Sequence, residues 1–198
     1  MKFYVFILLT IGFLMAGFLM RRSIKKKIER CVNAKDYKTM LKILDSLFVK
    51  VLFQPYQVEL MRLNTYLSLN DKAKIDEEFS ILLSARKSVA QTQQLVLRAF
   101  VYYIKEKDKD KCSDLMELIE NFNDETIKKQ MRIMYDTYIL KGSRYIHILL
   151  EELDKTEDQN RGPIAYMIAL QYENAGNKQK AEDYKKISRK IMSAALNN

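Results

Sequence analysis

Apolar residues recur along this chain at three- and four-residue spacings, in stretches separated mostly by a few polar residues. That rhythm belongs to amphipathic helices joined by short turns. After an initial apolar run, the spacing predicts a stripe at Ile24, Ile28, Cys31 and Val32 and a helix from Asp36 through Phe48. Further helices are predicted over 55–69, 71–85, 88–105, 110–122, 124–140, 143–153, 163–175 and 177–196. No stretch alternates at period two, so no strand is expected. Glycine and proline agree with this reading: Gly142, Gly162 and Gly176 fall at predicted junctions, and Pro55 and Pro163 each stand where a helix opens, a place where the missing N–H costs nothing. The expected class is all-α.

The initial run, residues 3–20, holds no charged residue and spans about 27 Å as a helix, close to a bilayer core of about 30 Å. Arg21, Arg22, Lys25, Lys26 and Lys27 follow at once, and no small-residue cleavage site intervenes, which favours an uncleaved transmembrane anchor over a signal peptide. The formal charge of the chain is +9, and six of those charges lie in residues 1–30. The basic excess therefore belongs to the anchor, where it favours anionic lipid and a cytoplasmic C-terminal side. Nucleic acid is not an expected partner. Gly12 and Ala16 form a small-residue pair compatible with association of two spans, so a homo-oligomer is possible. The expected organisation is an anchor with its basic flank over 1–22 and a helical domain over 23–198.

The helices repeat. With turns placed at Lys35, Asn70, Lys107, Gly142 and Gly176, the intervals are 35, 37, 35 and 34 residues. Four residues before each turn stand Cys31, Tyr66, Tyr103, Tyr138 and Tyr172; seven before stand Ile28, Leu63, Phe100, Tyr135 and Ala169. Five after stand Met40, Ile75, Cys112, His147 and Ala181, with His147 expected to face inward. Nine after, Leu44, Phe79 and Met116 continue the stripe, which slips by one to Leu150 and Tyr184 in the last two pairs. Residues 164–184, with Ala169, Tyr172, Gly176 and Ala181 in order, resemble a tetratricopeptide-repeat (TPR) unit. The chain lacks the tryptophan and the unit-ending proline of that family. The resemblance implies an α-solenoid of about five antiparallel helix pairs over residues 24–195. It also implies a concave groove that holds a peptide or partner helix.

Catalytic chemistry finds no footing. There is one histidine, two distant cysteines and no glycine-rich phosphate loop, so no enzyme, cofactor or metal is expected. Acidic pairs such as Glu77–Glu78 and Glu151–Glu152 read as outward, solvated faces. The tyrosines four before each turn read as glue within the pairs, which shifts candidate binding residues to the opposite face of each first helix. These are Asn64, Arg98, Val101, Lys105, Arg132, Asp136, Tyr166 and Asn174, with Arg98 and Arg132 suited to an acidic ligand. The expected function is a membrane-anchored, non-enzymatic adaptor at the cytoplasmic face. The alternative is a membrane-tethered chaperone or assembly factor exported from the cytoplasm.

Overall fold

The computed structural model describes the backbone of residues 2–196, and side chains over 12–157 and 160–194. Among the described residues there are eleven α-helices and no strand, so the all-α expectation holds. The chain forms two compact units, residues 1–92 and 93–198.

The first unit contains α1 (Lys2–Asn33), α2 (Tyr37–Leu44), α3 (Leu47–Leu52), α4 (Pro55–Leu69) and α5 (Lys72–Ser84). Ile28 and Cys31 of α1, Met40 and Leu44 of α2, Val49 of α3, Phe53 and Val58 share one buried cluster. The single helix expected from Asp36 through Phe48 is two, because Ser46 interrupts it. The Ser46 hydroxyl donates to the Ile43 carbonyl at 2.8 Å and accepts from the Val49 N–H at 3.4 Å, which restarts the chain as α3. Among the described residues no helix is long and apolar enough to cross a membrane. The expected span lies in α1, and the side chains of its residues 3–11 are outside the described ones.

The second unit contains most of α6 (Val89–Glu106), then α7 (Lys109–Glu120), α8 (Glu125–Tyr138), α9 (Ile146–Lys155), α10 (Asp158–Asn174) and α11 (Lys178–Leu196). Ile133, Leu149, Leu153, Ile164, Ala165 and Ile168 form its principal apolar cluster, flanked by Tyr172 and Tyr184. Those two rings stack with centroids 5.7 Å apart, tying α10 to α11. Gly162 and Pro163 are not a helix start, as expected, but lie inside α10. A Cβ on Gly162 would meet Met192 Cγ at 2.9 Å, and the Ser188 hydroxyl donates to the Gly162 carbonyl at 2.8 Å. The glycine lets α11 approach closely here, and that contact holds the helix through the proline.

Four of the five joints between paired helices share one backbone device. Lys35, Asn70, Lys107 and Gly176 sit in the left-handed region, with φ of 54°, 55°, 59° and 78°. The N–H of the next residue reaches back to the carbonyl four before the turn: Asp36 to Cys31 at 2.9 Å, Asp71 to Tyr66 at 3.1 Å, Asp108 to Tyr103 at 3.0 Å and Asn177 to Tyr172 at 2.9 Å. This is the Schellman closure of a helix end. The same Asp or Asn then caps the next helix, accepting from Thr39, Lys74, Lys111 and Lys180 N–H groups respectively. Helix end and helix start are thus fused, with no linker between them.

The fourth joint differs. Lys141, not Gly142, takes the left-handed conformation, and the Gly142 N–H closes on the Asp136 carbonyl at 2.8 Å, one residue further back. Counted from Lys141, the fifth and ninth residues are Ile146 and Leu150, both half-buried, and the slip at Leu150 disappears. His147 therefore does not face inward. Its side chain is 84% exposed, with Nδ1 3.2 Å from Glu151 Oε1 on the same helix.

Candidate functional site

Of the eight residues singled out as a binding face, Asn64 lies exposed on α4 in the first unit and the other seven lie in the second. Arg98, Val101 and Lys105 are all exposed on α6, where three- and four-residue steps put them on one face. Their helix is fixed from the other side by buried Leu95, Val96, Ala99, Phe100 and Tyr103. Phe100 meets Tyr135 of α8 with ring centroids 6.4 Å apart, and Lys111 of α7 lies 4.5 Å over the Tyr103 ring. Tyr166, on α10, is also exposed. Near it Tyr138 is half-buried, and burial pushes its phenol above the ordinary range.

Arg132 belongs to a different arrangement. Its Nε donates to Glu120 Oε1 at 2.6 Å and its Nη2 to Glu120 Oε2, a two-pronged pair joining α8 to α7. The hydrogen bonds from Arg132 hold the Glu120 carboxyl below its ordinary range. The guanidinium is therefore already engaged with a carboxylate of its own chain.

Asp136 and Asn174 serve the fourth joint. Asp136 is buried, and Arg144 reaches its Oδ1 through Nε and Nη2, both at 2.7 Å. Asn174 Nδ2 donates to the carbonyls of Thr137 at 3.0 Å and Gly142 at 2.9 Å. Fully buried Gln171 completes the set: its amide donates to Thr137 Oγ1 at 2.7 Å, and its Oε1 accepts from the Tyr145 N–H at 3.0 Å. This joint has no capping Asp to fuse its helices, and side chains from α8 and α10 satisfy its backbone instead. Sequence reasoning passed over Thr137 and Gln171. A signal was present, since counted from the turns at Asn70, Gly142 and Gly176 a polar residue stands five before at Thr65, Thr137 and Gln171, and all three are buried.

The acidic pair Glu77–Glu78 also divides. Glu77 is exposed, but Glu78 is 5% exposed on the face of α5 turned to α4. Burial, then the neighbouring Glu59 carboxylate, push the Glu78 carboxyl up to about 7, against the opposing pull of Arg62. Arg62 itself bridges Asp45 at 2.5 Å and Glu59 at 3.2 Å.

Between α8 and α9 lies an open cleft of about 260 Å³ whose rim carries Lys129, Lys155, Glu151 and Glu152 over an Ile133 floor. Its lining thus carries charges of both signs. Among the described residues no cluster of three His, Cys, Asp or Glu is placed to hold a metal ion. No family model, no curated protein and no solved structure matches the chain.

Proposed function

We propose that this chain is a membrane-anchored, TPR-like adaptor whose helical pairs present a protein or peptide ligand with the exposed faces of their first helices. The observation that carries the reading is the fused joint at Lys35, Asn70, Lys107 and Gly176. The same device joins one helix directly to the next within each unit, at a sequence spacing near that of helical repeats, and arrays of such repeats commonly serve as extended binding surfaces. The ligand row is Arg98, Val101 and Lys105, exposed together on α6, with Tyr166 exposed on α10 of the same unit; Asn64 lies in the first unit and is not part of that row, and Asp136 and Asn174 are built into the fourth joint. The row on α6 combines two cations with an exposed valine, which suits an acidic, partly apolar segment.

The anchor is supported by the exposed side chains of Phe13, Leu14, Met15, Phe18 and Leu19 on α1. A helix apolar on all sides needs an apolar surrounding. The basic residues after Met20 favour a cytoplasmic domain, and a membrane-impermeant thiol reagent tested against an exposed engineered cysteine decides the side.

The adaptor reading is tested by photo-crosslinking in intact cells from position 101, with exposed Glu117 on α7 as the control position. A discrete adduct from 101 that Arg98→Glu with Lys105→Glu abolishes is the expected result. Equal adducts from both positions, or adducts indifferent to the charge reversals, would refute the assignment.

A further inference from the structure

The short helix α3 exposes most of its apolar side chains, as residues 13–20 of α1 do. Only Val49 of α3 is buried in the core. Leu47, Phe48 and Val51 are 77%, 59% and 80% exposed, three large apolar side chains on a helix of six residues. Scattered exposed apolar residues are ordinary, but a contiguous group marks a contact surface.

The position of α3 says which contact. Leu52 packs against α1 at Gly17, where an added Cβ would lie 3.9 Å from Leu52 Cδ2. One turn further along α1, the Arg21 guanidinium lies 5.2 Å over the ring of Phe53. Helix α3 is thus level with the last turn of the apolar run, beside exposed Phe18 and Leu19 and just short of exposed Arg22, Lys25, Lys26 and Lys27. Lys50, also exposed, adds a cation with a stem long enough to reach outward from a buried position.

We infer that α3 is a second membrane contact: Leu47, Phe48 and Val51 insert into the boundary between headgroups and acyl chains of an anionic bilayer, alongside the α1 anchor. This rests on the anchor reading above. If residues 3–20 cross the bilayer, Arg21 and Arg22 mark the headgroup level, and a helix level with Gly17 lies where amphipathic helices insert. Charge chooses lipid over a second copy of the chain. Lys50 lies within the apolar group, and exposed Arg22, Lys25, Lys26 and Lys27 follow on α1 within three turns of Gly17; anionic headgroups attract these cations and a second copy, carrying the same ones, repels them. The consequence is a docked domain. With two contacts, the first unit is held at a fixed orientation to the membrane instead of swinging on one helix.

The chain has no tryptophan, so Phe48→Trp introduces a lone reporter at a position exposed enough to accept it. Leu69→Trp, at an exposed apolar residue ending α4, is the control. The full-length chain is reconstituted into phosphatidylcholine–phosphatidylglycerol vesicles; flotation reports anchoring, and acyl chains brominated near the headgroup report depth. The expected result is flotation of both variants, with blue-shifted emission and several-fold stronger bromine quenching for Phe48→Trp only. Adding Val51→Asp should remove most of that quenching while flotation persists. Flotation with water-like, iodide-quenched emission from Phe48→Trp would overturn the docking and leave the anchor standing. Blue-shifted emission indifferent to brominated lipid would mean that protein covers α3, and would overturn it equally. Failure to float would sink both readings.

Discussion

Replacing Glu78 by Gln should stabilise the protein above about pH 4.5, by an amount that grows until about pH 7 and then stays level. The carboxyl sits on α5 against α4, 5% exposed, with Oε2 lacking any hydrogen-bond partner. Glu59 faces it from α4, Glu77 stands beside it, and Arg62 offsets part of their repulsion while also serving Asp45 and Glu59. An acid whose folded pKa is raised holds its proton in the folded state after the unfolded chain has released it. Below the ordinary value of 4.5 both states are protonated and Glu78 contributes no pH dependence. Between 4.5 and about 7 stability falls as pH rises, and above that range the full penalty applies. The rise from 4.5 to about 7 corresponds to at most about 3 kcal/mol. Gln keeps the shape and is neutral throughout. Thermal unfolding of the full chain in a mild detergent, followed by circular dichroism, should place Glu78→Gln above the parent at about pH 8 and level with it at about pH 4. An equal effect at both pH values would mean the change acts through shape or hydrogen bonding, and the buried-charge argument would fail.

Tyr103→Ala should destabilise the second unit by about 3 kcal/mol in denaturant titrations, because the ring is 5% exposed and carries Lys111 on its face; a loss under about 0.5 kcal/mol would place it outside the core. Gly142→Ala should cost roughly 1–3 kcal/mol, since the new methyl would sit on the Asp136 carboxylate, and combination with Asp136→Ala should be less than additive. Cys112, whose thiol burial and then Asp108 push up to about 11, should stay protonated and unlabelled by maleimide near neutral pH until the chain unfolds. Rapid labelling of the native protein would show that its surroundings open.

The sequence by itself determined the helices and most of their joints. Caps are local: a residue tolerant of the left-handed conformation, followed by Asp or Asn, closes one helix and opens the next with groups at most five residues apart. Lys35–Asp36, Asn70–Asp71, Lys107–Asp108 and Gly176–Asn177 were legible for that reason. At the fourth joint the cap residue is missing, and the register passed to groups distant in the chain. Gln171 and Asn174 reach the joint from α10, and only the assembled unit could show that Asp136 closes it at Lys141.

Which polar residues were available for binding was also a tertiary matter. A helix has two flanks beside its apolar stripe, and periodicity alone does not say which flank a neighbouring helix covers. Glu78 was turned inward by α4 and Asp136 was covered at the fourth joint, while Arg98, Val101 and Lys105 stayed exposed on α6. The apolar residues of α3 followed the same logic in reverse. Leu47 and Phe48 fell within the helix expected from Asp36, but Ser46 broke that helix, and both stand exposed together with Val51 beside the end of the apolar run. The hydrophobic rhythm decides that a residue belongs to the apolar stripe of a helix; the placement of helices in space decides whether a neighbouring helix covers it.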